Sequence, residues 1–229
     1  MRLVLILLLP ICLAAQVVIN PLTYPSGGAE ENWIGRWLAN NRTIELASGD
    51  ITLTENSSPV LSGTVMQEGD SSYSVGTAGD YFYATLAESD AEEDSGMVEF
   101  YFRCGDHSSD NHIFRMWDAS EDDAVQIQYD EYEITMSISI DGNTGSSKST
   151  IPANDTWYWF QFYWHPDSTG VRRNGVLVDS DPTSAPLSRA THFDTIFFGD
   201  FWNAGDDAYY FDAFHLYDDP NATTNLDTP

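Results

Sequence analysis

Acidic side chains are the first candidates for chemistry in this 229-residue sequence. Glu88-Ser89-Asp90-Ala91-Glu92 carries three carboxylates at i, i+2 and i+4. On a strand that spacing places them on one face, and a retaining glycosidase needs two carboxyls about 5 Å apart, one to attack and one to donate a proton. The small residues between the acids, and the Glu93-Asp94-Ser95 that follows, read instead as an acidic loop. Glu131 and Glu133 could share a strand face but lack a third acid two positions on. Proton abstraction from a uronic sugar needs a Tyr or His base with Arg, Gln or Asn beside the acid group. Arg103, His107, His112, Arg115, Gln126, Gln128 and Tyr129 supply those types, but position 128 holds Gln where a Gln-x-His strand would need His. No Gly-x-Ser-x-Gly string and no phosphate-cradling glycine loop occurs. No catalytic residue is therefore assigned, and the chain reads more as a binder than as an enzyme.

Two further groupings suit binding. Asp118, Asp122 and Asp123 crowd one turn beside Glu121, while Asp200, Asp206 and Asp207 flank Asn203 in another. Calcium takes six to eight oxygens, and such loops supply carboxylates and carbonyls, so Asp118, Asp122, Asp123, Asp206 and Asp207 are the candidate Ca2+ ligands. The competing reading is a solvated acidic surface. Zinc fits poorly, because the five histidines are scattered and Cys104 has no cysteine near it. The candidate ligand contacts are Trp202, Asn203 and Asp200, a ring among polar groups in one loop, and Tyr163, from a strand dense in aromatics.

The elements that must position these groups are short strands. Runs at 51–54, 81–87, 97–104, 112–117, 124–129, 133–140, 157–164, 170–179, 193–199 and 208–218 are apolar or alternating and are bounded by Gly, Asp, Asn or Ser. Within 133–140, Ile134, Met136, Ile138 and Ile140 share one face and Thr135, Ser137 and Ser139 the other. The 157–164 strand sends Trp157, Trp159, Gln161 and Tyr163 one way and Tyr158, Phe160, Phe162 and Trp164 the other. Both of its faces must therefore be covered, or one must be a sugar platform. Asn174-Gly175 and the Asp141–Gly145 stretch predict tight reversals. Trp33, Ile34, Trp37 and Leu38 allow one short helix within 30–38. Ten or more strands do not make one flat sheet, so two packed antiparallel sheets are expected.

Composition narrows the partners. There are 36 acidic and 9 basic residues, a net charge of −27, with 42% hydrophobic residues. Such a surface repels nucleic acid and anionic lipid. Aspartate outnumbers glutamate and Lys148 is the one lysine, a bias resembling proteins from salty environments. Residues 1–15, MRLVLILLLPICLAA, have the pattern of a secretory signal, being too short an apolar run to span a bilayer. Residues 16–218 would form one domain and 219–229 a loose polar tail. Without residues 1–15 Cys104 stands alone, either as a buried thiol or as the link of a covalent dimer. Asn41, Asn56, Asn154 and Asn221 head glycosylation triplets.

The order of elements over 157–218 resembles the concanavalin A-like jelly rolls, especially the laminin-G-like and pentraxin-like group. Trp157 opens a strand, Asn174-Gly175 tips a hairpin, Phe198-Gly199 ends a strand, and Asp212 precedes an aliphatic run in the last strand. The resemblance implies an all-β, two-sheet antiparallel jelly-roll sandwich of the concanavalin A-like lectin/glucanase type, with calcium at loop ends in some members. It implies a secreted module that recognises glycan or an extracellular protein. A self-associating structural subunit and a glycoside hydrolase or polysaccharide lyase are the alternatives.

Overall fold

The computed structural model describes residues 33–37, 43–46, 51–56, 60–63, 65–67, 71–75, 79–85, 95–105, 111–118, 124–130, 132–140, 142–184, 193, 195–199 and 209–217. Residues 1–15, the tail at 219–229, the acidic string Glu88–Glu92, Glu131 and His107 lie outside them. All the regular structure among the described residues is β: β1 (Trp33–Trp37), β2 (Thr43–Leu46), β3 (Ile51–Thr52), β4 (Thr54–Asn56), β5 (Val60–Ser62), β6 (Ser72–Val75), β7 (Tyr81–Thr85), β8 (Gly96–Cys104), β9 (Asn111–Trp117), β10 (Ala124–Asp130), β11 (Glu133–Ile140), β12 (Asn143–Thr150), β13 (Tyr158–His165), β14 (Ser168–Arg173), β15 (Val176–Pro182), β16 (Thr195–Gly199) and β17 (Tyr209–Tyr217).

These strands form two antiparallel sheets. The ten-stranded sheet runs β15-β14-β13-β8-β17-β1-β2-β3, with β6 paired to β17 and β5 to β6. The seven-stranded sheet runs β12-β11-β10-β9-β16-β7-β4. Their facing surfaces make the core. Phe100, Phe102, Phe160, Phe162 and Trp164 from one sheet meet Phe82, Phe114, Ile127, Met136, Ile138 and Phe198 from the other. Alternation within each strand selects these residues, and area burial of this kind is the main stabilising term. The two packed sheets expected from the strand count, and the jelly-roll sandwich implied by the resemblance, are the fold observed.

The segment around Trp33 departs from the expected short helix. It is β1, hydrogen-bonded between β17 and β2, with Arg36 opposite His215 and Glu45. Five residues make barely more than a helical turn, whereas the two neighbouring strands satisfy its backbone on both sides.

The turns follow their residues. Asn174 and Gly175 have φ of 49° and 76°, the left-handed values a two-residue hairpin demands. Asn174 also closes on Trp159, its backbone N–H donating to the Trp159 carbonyl at 2.8 Å and its Oδ1 accepting the Trp159 N–H at 2.9 Å. At Gly199 φ is 110° and a Cβ would stand 2.4 Å from the Tyr73 hydroxyl, so glycine alone fits the end of β16.

A bulge in β17 decides which side chains reach which face. Asp212 pairs with Tyr101 but His215 with Glu99, so β17 has one residue more than β8 between these rungs. Ala213 takes the left-handed conformation there, φ 51°, with its N–H donating to Asp212 Oδ1 at 2.8 Å. Phe211 and Phe214 thereby both enter the core, and His215 and Tyr217 turn outward.

Candidate functional site

The outer face of the seven-stranded sheet carries a continuous row of side chains. Cross-strand register aligns Ser146, Ser137, Gln126, Arg115, Phe197, Tyr83 and Thr54 from β12 to β4. Its first half borders a groove of about 740 Å³, lined by Arg115, Gln126, Ser137, Ser139, Ser146 and Asp181 among others. The rim near Asp181 is fixed to β12: Thr144 N–H donates to Ser184 Oγ at 2.9 Å, and Ser184 N–H donates to the Thr144 carbonyl at 2.7 Å.

The second half of the row is aromatic. Phe197 lies 4.1 Å from Trp117, 5.6 Å from Tyr81 and 5.7 Å from Tyr83 between ring centres, the last pair stacked at 20°. Arg115 joins the halves, its guanidinium carbon 4.1 Å from the centre of the Trp117 ring. These four rings are half-buried. In the adjoining rung Gln128 Nε2 meets His112 Nε2 at 2.7 Å. A bulge at Ile113 sets that pairing, because Ile127 faces Phe114 and Gln128 faces His112.

The outer face of the ten-stranded sheet is built from similar residue types but is closed. Glu99 is 0% exposed, and its carboxylate accepts the Tyr217 hydroxyl at 2.6 Å and the Trp159 indole N–H at 3.1 Å. His215 Nδ1 stands 3.2 Å from the same carboxylate. Burying an ionised carboxylate costs several kcal/mol unless donors surround it, and Glu99 has them. Asp212, also fully buried, accepts the backbone N–H of Gln67 at 2.9 Å.

The predicted ligand contact Tyr163 belongs to this closed face. It is 8% exposed, its ring lies where a Cβ on Gly170 would be, and the Arg172 guanidinium sits 4.6 Å above it. Trp159 is 7% exposed, so of the two readings of the aromatic strand β13, covered faces rather than an open platform is the one observed. Asp118 follows Trp117 at one end of the aromatic cluster. The other expected contacts and ligands, Asp122, Asp123, Asp200, Trp202, Asn203, Asp206 and Asp207, lie outside the described residues. Because β9 and β16 are antiparallel, with Trp117 opposite Thr195, Asp118 and Gly199 mark opposite ends of the sheet. Among the described residues no three His, Cys, Asp or Glu side chains are grouped to hold a metal ion, and no helix is long and apolar enough to cross a membrane.

Arg115, His112, Gln126 and Gln128, first weighed as lyase residues, do share one face. Tyr81, Tyr83, Trp117 and Phe197 were not singled out by sequence. The available signal was the parity of 81–85 and 114–117, which sends these rings away from the core, but parity does not name neighbouring strands. Cys104 is 1% exposed, and burial pushes its thiol from 9.0 up to about 11. A thiol so placed suits packing and not a link between molecules.

No family model matches the sequence, and no curated protein matches it. Solved structures do match its fold. The receptor binding domain of the botulinum neurotoxin C/D mosaic serotype superposes with a TM-score of 0.68 at 12% identity, covering 82% of this chain and 48% of that one. The serotype D binding domain gives 0.66 at 12% identity, covering 82% and 49%. A binding domain of botulinum neurotoxin DC in complex with SialylT gives 0.62 at 12% identity, covering 83% and 48%. The chain thus spans about half the length of the structures it matches. At this identity the likeness establishes the jelly-roll fold, and it does not single out the laminin-G-like or pentraxin-like group.

Proposed function

We propose that this chain is a secreted, non-catalytic recognition module that binds carbohydrate on the outer face of its seven-stranded sheet. The observation that carries this reading is the row in which hydroxyl and amide side chains beside a groove run directly into a cluster of aromatic rings. Flat rings pack against the C–H faces of sugars. Serine hydroxyls and glutamine amides both donate and accept, matching the mixed character of sugar hydroxyls. The matched structures are binding domains, and one is a complex with SialylT, which supports the same class of activity for this fold. The apolar run within residues 1–15 supports export.

Trp202, Asn203 and Asp200 follow β16 directly in sequence and would add contacts beyond Gly199. Calcium held by Asp118, Asp122 and Asp123 would stand beside Trp117, and Asp206 with Asp207 would serve the Gly199 end. The test is a glycan array probed with the full chain, with and without calcium, followed by titration of any hit with Tyr83→Ala and Trp202→Ala. A selective hit weakened by Tyr83→Ala supports the site. An unchanged affinity in Trp202→Ala removes that residue from it, and equal binding with calcium chelated removes the ion.

A self-associating structural role is the second reading. Val176, Leu177 and Val178, on the terminal strand of the ten-stranded sheet, are 65%, 53% and 40% exposed. Three consecutive exposed apolar residues on an edge favour a partner chain. Light scattering at high salt decides this, and a monomer at every concentration rules it out.

A further inference from the structure

We infer that the groove and the aromatic cluster are two halves of one elongated site, and that it takes a linear, uncharged oligosaccharide lying across the strands. The inference rests on the carbohydrate reading above and adds the shape, length and charge of the ligand.

Register supplies the shape. From Ser146 to Tyr83 the row crosses five strand-to-strand steps, about 24 Å at the usual spacing. The chemistry changes once along it, from hydroxyl and amide groups to rings, with Arg115 against Trp117 at the junction. A single sugar covers one half only, whereas an extended chain uses both. The perpendicular direction is less suitable. Along β11 and β12 the outward side chains soon reach Glu133 and Lys148, which close on each other at 2.9 Å. A ligand running along β11 and β12 would pass Thr135 and meet that ion pair, away from the rings.

Charge excludes acidic polymers. Arg115 is the one basic side chain in the row, and it is buried and stacked on Trp117. Asp181 stands at the rim of the groove, and the whole chain carries −27. A polyuronate would approach against that field, while a neutral chain loses nothing to it.

The test is calorimetric titration of the full chain with neutral gluco-, xylo- and manno-oligosaccharides from monosaccharide to octasaccharide, and with oligogalacturonates of the same lengths. The expected result is binding of at least one neutral series with affinity rising about tenfold or more before a plateau near the length of the row. Tyr83→Ala and Gln126→Ala, which alter opposite halves, should each weaken the long ligand. Tyr83→Ala should have a smaller effect on the disaccharide bound in the groove half. A monosaccharide binding as tightly as the longest chain, or a tighter grip on oligogalacturonate, overturns the inference and leaves carbohydrate recognition standing. Absence of binding to every series, with the protein folded and the array also silent, overturns both. The length series uses the unaltered chain, so it decides the matter even if a variant fails to fold.

Discussion

The two outward faces of the sandwich use the same kinds of residue to opposite ends. The face of the ten-stranded sheet holds Trp159, Tyr163, Tyr217, Gln161, Glu99 and His215, all buried. The face of the seven-stranded sheet holds Trp117, Phe197, Tyr81, Tyr83, Gln126 and Gln128, all half-buried, beside an open groove. On the closed face the polar groups around Glu99 are committed to one another. Glu99 takes the hydroxyl of Tyr217 and the indole of Trp159, and Arg172 caps Tyr163. On the groove side Ser146 and Asp181 are exposed to solvent and stand ready for hydroxyls from outside. Aromatic density alone therefore does not mark a binding surface. What differs between the faces is exposure: the rings and amides of one are half-buried beside a groove, and those of the other are shut from water.

Removing the centre of the closed face should have the largest effect. Glu99→Ala leaves the Trp159 N–H and the Tyr217 hydroxyl without their acceptor in a dry site, and should cost about 3–5 kcal/mol of stability. Urea unfolding measures it, and a loss below about 1 kcal/mol would show that the Glu99 network contributes little. Tyr83→Ala should invert the pattern, lowering carbohydrate affinity by roughly tenfold, about 1.4 kcal/mol, with a smaller change in melting temperature than Glu99→Ala produces. Calorimetry and thermal melts on the same samples separate the two effects. Arg172→Ala strips the cation from the ring of Tyr163 and should cost about 0.5–1 kcal/mol in unfolding experiments while leaving ligand affinity unchanged. A fall in affinity there would place Tyr163 at the ligand, as the sequence suggested, and blur the distinction between the faces.

A separate effect concerns pH. The buried Cys104 thiol keeps its proton to about 11, whereas the unfolded chain releases it near 9.0. The unfolded state then binds fewer protons than the native state between those values, so this contribution to stability is intact below about pH 9 and declines as pH rises toward 11. The urea midpoint of the parent should drop more than that of Cys104→Ala between about pH 8 and about pH 10.5. Equal drops would show that Cys104 is not responsible.

Much of the fold was readable residue by residue. The alternation of Ile134, Met136, Ile138 and Ile140 named the buried side of β11, and Asn174-Gly175 named its hairpin. The Trp33–Trp37 segment misled, because two tryptophans four apart satisfy a helical turn as well as an irregular strand, and the neighbours that fix β1 lie at 43–46 and 209–217. The candidate site was less readable. Phe197 and Tyr83 become neighbours only through the pairing of β16 with β7, more than a hundred residues apart in the chain. His215 and Tyr217 would have been placed with Phe211 by simple alternation, and the single extra residue at the Ala213 bulge reverses them.

The sequence by itself determined that this chain is an acidic two-sheet β sandwich, because strand period, turn residues and net charge are local or additive properties that no partner strand is needed to express. The order of strands, the bulges and the covering of one face but not the other were decided only in the tertiary structure. Those features depend on which distant backbones satisfy one another's hydrogen bonds, and that choice turned one set of aromatics into core and left the other beside a groove.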